Sequence, residues 1–140
     1  MFITQHLTTV DDVIKLWPRL NDLAHRERVD KRIDDAAILQ MVLLCIQNGC
    51  VVVLRQGGSV VGFGCAELMD EGDLYLRCVP PDEGKGIARE CVSAILKWAS
   101  ERGIAQIRCV TYRLNGSTHR YFQKTLGFKL ESVTFKRKTI

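Results

Sequence analysis

The sequence lacks long hydrophobic runs, internal repeats and low-complexity segments. No apolar stretch approaches the roughly 18 residues that a transmembrane helix needs, so no membrane partner is expected. The first residues, MFITQHLTTVDD, have neither the basic region nor the apolar region of a signal peptide. The expectation is therefore a cytoplasmic protein.

Paired metal-binding cysteines are also missing. The six cysteines include no C-x-x-C pair, and no two histidines stand at the spacing of zinc ligands. Most of the cysteines lie in apolar runs such as VLLCI, GFGCA and IRCV, where a free cysteine behaves as a small buried hydrophobe. We expect structural thiols in a reducing compartment and no metal.

The sequence also has little excess of positive over negative charge. The net charge is +4, and it depends largely on the C-terminal FKRK. Because no basic stripe with interleaved aromatic residues is present elsewhere, no nucleic-acid partner is expected. The 140 residues, 46% hydrophobic and 26% charged, suit one globular domain spanning 1–140.

Hydrophobic periodicity predicts the order β-α-α-β-β-β-α-β-α-β. The predicted class is α/β (α+β), with a mixed, mostly antiparallel sheet and helices on both faces. Pro18 is expected to kink or split the first helix, and the pair Asn48–Gly49 to cap the end of the second. Gly103 is expected to cap the helix that begins near residue 86.

Glycines also mark the predicted strands. Two β-branched runs flank Gly57–Gly58, which is a strong signal for a hairpin. Gly62 and Gly64 lie inside the second of these strands and indicate a bend or a close backbone approach.

The stretch DEGKGIAREC, residues 82–91, follows the strand-like LYLRCV and leads into a helix. It is either a tight turn or a loop whose backbone approaches a ligand. It fails the Walker A pattern, because Lys85 is followed by Gly86 rather than Ser or Thr. It fails the dinucleotide pattern, because Arg89 replaces the third glycine and no βαβ unit is expected around it.

An anion cradle is the remaining ligand interpretation of this loop. Gly84 to Ala88 would direct successive N–H groups at one point, just before a helix N-terminus. Gly84 and Gly86 leave no side chain to block the approach, Ala88 keeps the next turn thin, and Lys85 adds a positive charge. The predicted ligand is a phosphate or pyrophosphate.

The segment VPPDEGKGIA, followed by a helix, resembles the acetyl-CoA loop of the GCN5-related N-acetyltransferases (GNAT). Downstream, Asn115 and the run HRYFQKTLGF resemble a second segment of that family, and the order of elements matches along essentially the whole chain. Glu83 departs from the family pattern, which has Gln or Arg there, so we expect its side chain to point away from the pyrophosphate. The helix near Tyr121 carries one residue more than the family pattern.

The resemblance implies transfer of an acetyl group from acetyl-CoA to a primary amine of a small molecule or peptide, without a metal. It implies that a backbone N–H near Cys78 or Val79 polarises the thioester and that Tyr121 protonates the departing thiolate, with Tyr112 as the alternative acid. The residues implied to bind the cofactor are Cys78, Val79, Glu83, Gly84, Lys85, Gly86, Ile87, Ala88, Arg89 and Asn115.

Several assignments stay open at the level of sequence. Glu67 is the preferred general base and Asp73 the alternative, whereas Asn115 could equally cap the short helix, and His119 is interpreted as a surface or packing residue. The first two helices and the turn at 68–73 are expected to form the acceptor pocket. An acetyltransferase for protein lysines or N-termini and a non-catalytic acyl-CoA-binding module remain alternatives, and a homodimer is compatible with apolar strands at a sheet edge.

Overall fold

A computed structural model describes residues 1–27, 34–78, 86–109, 120, 123–124, 126–129, 137 and 139. The elements within these ranges are, in order, β1 (Ile3–Leu7), α1 (Val10–Glu27), α2 (Asp35–Gln47), β2 (Gly49–Gln56), β3 (Ser59–Leu68), β4 (Leu74–Cys78), α3 (Ile87–Glu101) and β5 (Ile107–Cys109). Their order confirms the predicted one through β5. Most of the predicted short helix (115–127) and of the predicted last strand (128–138) lies outside the described residues.

The described strands form one sheet in the order β1-β2-β3-β4-β5. The first three pairings are antiparallel, whereas β4 and β5 are parallel and α3 connects them. The prediction that no βαβ unit surrounds the glycine loop is therefore wrong, since β4-α3-β5 is such a unit. Arg89, in place of the third glycine, still argues against a dinucleotide fingerprint, and so do the antiparallel strands β2, β3 and β4 that precede the loop.

Helices cover both faces of this sheet, as predicted. In β2, Val51 and Val53 belong to the core beneath α1 and α2, whereas Cys50 and Val52 belong to the core beneath α3. Because neighbouring residues of a strand point to opposite faces, a strand covered on both sides must be apolar throughout. This requirement accounts for the unbroken run CVVVL.

The first helix is capped at its start and is not split by its proline. The Asp12 backbone N–H donates to the Thr9 hydroxyl at 3.1 Å, which caps the first turn. Helix α1 then runs through Pro18 to Glu27, so the predicted break is wrong. Proline removes one helical hydrogen bond, and the burial of this helix against the sheet, with Leu20 fully enclosed, offsets that loss.

The end of the second helix also differs from the prediction. Helix α2 ends at Gln47, and Asn48 is its C-cap with φ −142°, outside the left-handed region. Gly49 already belongs to β2, so its predicted capping role is wrong. A Cβ atom at Gly49 would lie 2.0 Å from the carbonyl oxygen of Ala66. Glycine is required here by close strand packing rather than by helix termination.

The hairpin glycines and Gly64 behave as predicted. Gly57 and Gly58 form the hairpin turn with φ values of +58° and +83°, which is the left-handed geometry that two-residue hairpins favour. Gly64 allows α3 to approach the sheet, because a Cβ atom there would lie 3.1 Å from Ile95 Cδ1 and 3.4 Å from Cys91 Cβ. Among the described residues, no helix is long and apolar enough to cross a membrane.

Candidate functional site

The candidate site lies where β4 ends and α3 begins. Strand β4 ends at Cys78, and α3 begins at Ile87 with Gly86 as its N-cap. The predicted loop residues between them, Val79, Glu83, Gly84 and Lys85, lie outside the described residues. The structure thus describes the residues on either side of this loop and, of the predicted cradle, Gly86 to Ala88. The contribution of those four loop residues stays a prediction.

Gly86 has the backbone geometry of a residue that opens a helix without a side chain. Its φ is +77°, and a Cβ atom there would meet no atom of the described residues within 4 Å. As the N-cap, Gly86 makes no side-chain capping bond, and the first helical bond runs from Glu90 N to Gly86 O at 3.1 Å. The first-turn N–H groups and the positive end of the helix dipole therefore suit an anion.

The residues after Gly86 divide into two kinds. Ile87 and Ala88 are buried, and Ile87 packs with Leu54 and Cys91 in a small core between α3 and the sheet. Their side chains fix the start of the helix, so only their backbone is available to a ligand. Arg89 is exposed at the same turn and can add positive charge to that region.

The C-terminal end of α3 has a different capping arrangement. Gly103 has φ +71°, and its N–H donates to Ser100 O while the N–H of Ile104 donates to Ala99 O. This pair of bonds is a Schellman motif, which confirms Gly103 as the C-terminal glycine of α3. The two ends of α3 thus carry left-handed glycines with different roles.

A bulge in β4 changes the faces on which its last side chains lie. Cys78 pairs with Cys65 and Leu76 pairs with Ala66, which leaves Arg77 as an extra residue in β4. As a result, Leu76 packs beneath α3, whereas Cys78 packs in the core beneath α1 and α2. Without a bulge, residues two apart would share a face. The hydrophobic pattern gave no signal of this irregularity.

Glu67, the preferred candidate base, lies in an ion pair. Its Oε1 accepts from Arg77 Nε at 3.0 Å and lies 2.9 Å from Arg77 Nη2. The guanidinium of Arg77 also lies over the Tyr75 ring, 5.6 Å from the ring centre. The Glu67 side chain is 21% exposed, so the carboxylate is accessible but largely enclosed.

Asp73, the alternative base, is paired in a similar way. Arg108 Nε donates to Asp73 Oδ2 at 2.7 Å, and the Asp73 side chain is 17% exposed. Arg108 is the strand partner of Tyr75 in the parallel β4–β5 pairing. Sequence reasoning identified both carboxylates but missed both arginines, because neither arginine is near its partner in the sequence.

These four groups share one face of the sheet. The strand neighbours of Glu67 and Arg108 pack on the α3 side; they are Ala66, Leu68, Ile107 and Cys109. Glu67 and Arg108 therefore point to the other face. We call Glu67, Arg77, Arg108 and Asp73 the charged row. It contains two carboxylates and two guanidiniums, and its formal charge is zero.

The remaining predicted site residues cannot be placed. Tyr121, Asn115, Tyr112 and His119 lie outside the described residues, so the acid, the second cofactor contact and the alternatives to them stay predictions. Within the ranges that the structure covers, no group of three or more His, Cys, Asp or Glu side chains could hold a metal ion.

The six cysteines are free thiols, five of them buried and Cys109 partly so. This confirms the interpretation of the cysteines as structural thiols. Burial raises the pKa of Cys91 to about 12, and of Cys50 to about 12, which keeps both protonated at neutral pH.

Solved structures of the same fold are numerous. Aminoglycoside N-acetyltransferase AAC(6')-Iy, solved with the bisubstrate analogue CoA-S-monomethyl-acetylneamine, has a TM-score of 0.69 and 18% identity, and the match covers 100% of this chain and 99% of that one. A predicted acetyltransferase from Clostridium acetobutylicum, solved with acetyl-CoA, has a TM-score of 0.69 and 16% identity, covering 99% and 96%. At these identities the likeness shows the fold.

A third neighbour comes from an uncultured soil metagenomic sample. This aminoglycoside acetyltransferase, meta-AAC0020, was solved with sisomicin and has a TM-score of 0.68 and 14% identity, covering 99% of this chain and 96% of that one. No curated protein sequence matches the chain. The sequence model of the acetyltransferase (GNAT) family matches residues 15–128, which is most of the chain. The protein therefore belongs to the GNAT acetyltransferase family.

Proposed function

We propose that residues 1–140 form one N-acetyltransferase domain that moves the acetyl group of acetyl-CoA to a primary amine of a small molecule or peptide by direct attack. One observation carries this proposal. In a chain of the acetyltransferase family, the helix after β4 opens on Gly86, which has a left-handed conformation and, among the described residues, open space where a side chain would be. That geometry suits a pyrophosphate bound by backbone N–H groups.

The proposed cofactor site combines described and undescribed residues. The N–H groups from Gly84 to Ala88 would bind the pyrophosphate, with Lys85 and Arg89 supplying positive charge and Asn115 a further contact. Two of the structural neighbours were solved with CoA or acetyl-CoA, which supports the same ligand here.

The proposed reaction needs a neutral amine. A free alkyl amine has a pKa of about 10.4, so a proton must leave it before attack. The amine nitrogen then bonds to the thioester carbon, a backbone N–H near Cys78 or Val79 stabilises the developing oxyanion, and the C–S bond breaks. Tyr121 is proposed to protonate the departing CoA thiolate.

Glu67 is proposed as the group that receives the amine proton, directly or through water. Both contacts from Arg77 fall on its Oε1, and no described residue hydrogen-bonds its Oε2. Asp73 remains the alternative, on the same face of the sheet. Two alternative functions also remain: an acetyltransferase for protein lysines or N-termini, and a non-catalytic acyl-CoA-binding module.

The cofactor site is tested by calorimetry with acetyl-CoA. Wild type is compared with Gly86→Glu and with a matched control, Gly103→Glu. Both glycines have positive φ and open space around them, and they begin and end the same helix. Both variants therefore pay a similar conformational cost, of roughly 1–2 kcal/mol, but only Gly86→Glu puts a carboxylate at the proposed pyrophosphate site.

We expect binding by wild type and by Gly103→Glu, and loss of binding by Gly86→Glu. Thermal denaturation of each variant verifies that the protein is folded. Absence of binding by folded wild type, or equal binding by both variants, would contradict the proposed site. Release of free CoA thiol in the presence of amines then separates a transferase from a binding module. Activity on lysine-containing peptides but not on small amines would favour a protein acetyltransferase.

A further inference from the structure

We propose that the amine acceptor also carries a carboxylate, and that the Glu67–Arg77 pair recognises both charges of this zwitterion. The inference rests on the proposed function, because it concerns the acceptor of that same reaction. It would make the protein an acetyltransferase for amino-acid-like amines rather than for polycations.

The pair lies close to the proposed reaction centre. Cys65 is the strand partner of Cys78, and Glu67 is two residues further along β3 on the same face. Two residues of a strand span about 7 Å, so the Glu67 carboxylate is within the length of a small molecule from the end of β4. A ligand held by this pair can therefore reach a thioester bound near Cys78, at the end of β4.

Each member of the pair has an atom available to a ligand. Arg77 uses Nε and Nη2 for Glu67, and Nη2 also contacts Met69 Sδ at 3.3 Å. No described residue bonds Arg77 Nη1 or Glu67 Oε2. Glu67 Oε2 can accept from an ammonium or amine, while Nη1 can donate to a carboxylate.

The pair is also held by several contacts and only partly exposed. The Arg77 side chain is 34% exposed and that of Glu67 21%. Tyr75 underlies the guanidinium, which fixes its plane by a cation–π contact. A pre-positioned guanidinium loses little side-chain freedom when it binds a carboxylate, and this favours binding.

The charge of the whole row opposes a polycationic acceptor. Asp73 is neutralised by Arg108 just as Glu67 is by Arg77, so the four side chains of the charged row carry no net negative charge. A polycation gains from uncompensated carboxylates and is repelled by a nearby guanidinium. A zwitterion has one group for each partner of the pair, and it complements the row better than sisomicin, the ligand of one structural neighbour.

The test uses pairs of acceptors that differ only by a carboxylate. Release of CoA thiol is measured with phenylalanine against phenethylamine, with lysine against cadaverine, and with sisomicin. We expect kcat/KM to be at least about 10-fold higher for the carboxylate member of at least one pair, which is the usual magnitude for one charged hydrogen bond. Sisomicin should be the poorest acceptor.

Two variants separate recognition from general damage. Arg77→Met keeps an unbranched chain over Tyr75 but leaves the Glu67 carboxylate uncompensated, so the preference should reverse in favour of cadaverine. Arg55→Met is the matched control. Arg55 also makes hydrogen bonds from a strand, to Gln5 at 3.0 Å and to the Gly58 carbonyl at 3.4 Å, but it is remote from the charged row. It should keep the wild-type preference.

The outcomes divide cleanly. Turnover of amines with no carboxylate preference, or with sisomicin as the best acceptor, would overturn the inference and leave the acetyltransferase activity intact. A carboxylate preference that survives Arg77→Met would overturn the role of Arg77. Acetyl-CoA binding without turnover of any amine would remove the transferase proposal and this inference together.

Discussion

Substitution of Gly64 by alanine tests how closely α3 must approach the sheet. Gly64 lies in the middle of β3, and a methyl group there would be 3.1 Å from Ile95 Cδ1 and 3.4 Å from Cys91 Cβ. Both contacts are on α3, whose start at Gly86 is part of the proposed cofactor site. The methyl group must therefore displace the helix or the Ile95 side chain.

The expected cost follows from these distances. Overpacking of a well-filled core costs about 1–3 kcal/mol, and we expect the lower half of this range because the nearer atom is the end of a side chain that can rotate. Ile95→Val removes that atom and alone should cost about 0.5–1.5 kcal/mol, because Ile95 is fully buried. In the double variant the added methyl group keeps the looser contacts, 3.4 Å to Cys91 Cβ and 3.5 Å to the Cys78 carbonyl oxygen.

The assay is urea denaturation followed by tryptophan fluorescence for wild type, both single variants and the double variant. The double variant should be more stable than additivity predicts, by about 0.5 kcal/mol or more. Gly58→Ala is the control for the cycle: its φ of +83° makes the variant costly by itself, but no described atom lies within 4 Å of a Cβ atom there, so its cost should add strictly to that of Ile95→Val. Strict additivity of Gly64→Ala and Ile95→Val would refute the close-contact reasoning.

Three further outcomes follow from local contacts. Asp34→Ala should lower stability by about 1 kcal/mol in urea denaturation, because Asp34 Oδ1 caps α2 by accepting from a backbone N–H at 2.9 Å. A hydrogen bond from the Thr9 hydroxyl lowers the pKa of the Asp12 carboxyl below its unfolded value of about 3.9. The stabilisation from this bond is complete above the unfolded pKa and is lost as the pH falls through the folded pKa. Thermal melts at pH 2–5 should accordingly show a weaker acid dependence for Thr9→Ala. Because burial raises the pKa of Cys50 and Cys91 to about 12, these thiols should resist a disulfide reagent at pH 8 until urea is added, as mass mapping would show.

The sequence was sufficient to predict features that depend on local pattern. The order of helices and strands follows from hydrophobic periodicity, and the hairpin at Gly57–Gly58 from the conformational freedom of glycine. The start of α3 at Gly86 was predictable for the same reason. In each case the signal lies within a few residues of the feature that it specifies.

Features that depend on distant partners were not predictable in this way. The need for glycine at position 49 comes from Ala66 in the neighbouring strand, and the intact helix around Pro18 depends on burial against the sheet. The parallel direction of β5 has no periodic signature, since a strand has the same alternation in either direction. The arginine partners of Glu67 and Asp73 became apparent only from strand register.

The bulge in β4 links the proposed chemistry to the proposed specificity. Arg77 reaches Glu67 and Tyr75, and the next residue, Cys78, packs beside Cys65 on that same side of the sheet. Two successive residues of a regular strand cannot share a face, so the extra residue is what allows both placements. A shift of β4 by one residue would separate the guanidinium from its carboxylate and would move the backbone at the proposed thioester position. The proposed acceptor recognition and the proposed carbonyl polarisation therefore depend on the same backbone irregularity, which could not change in one role without changing in the other.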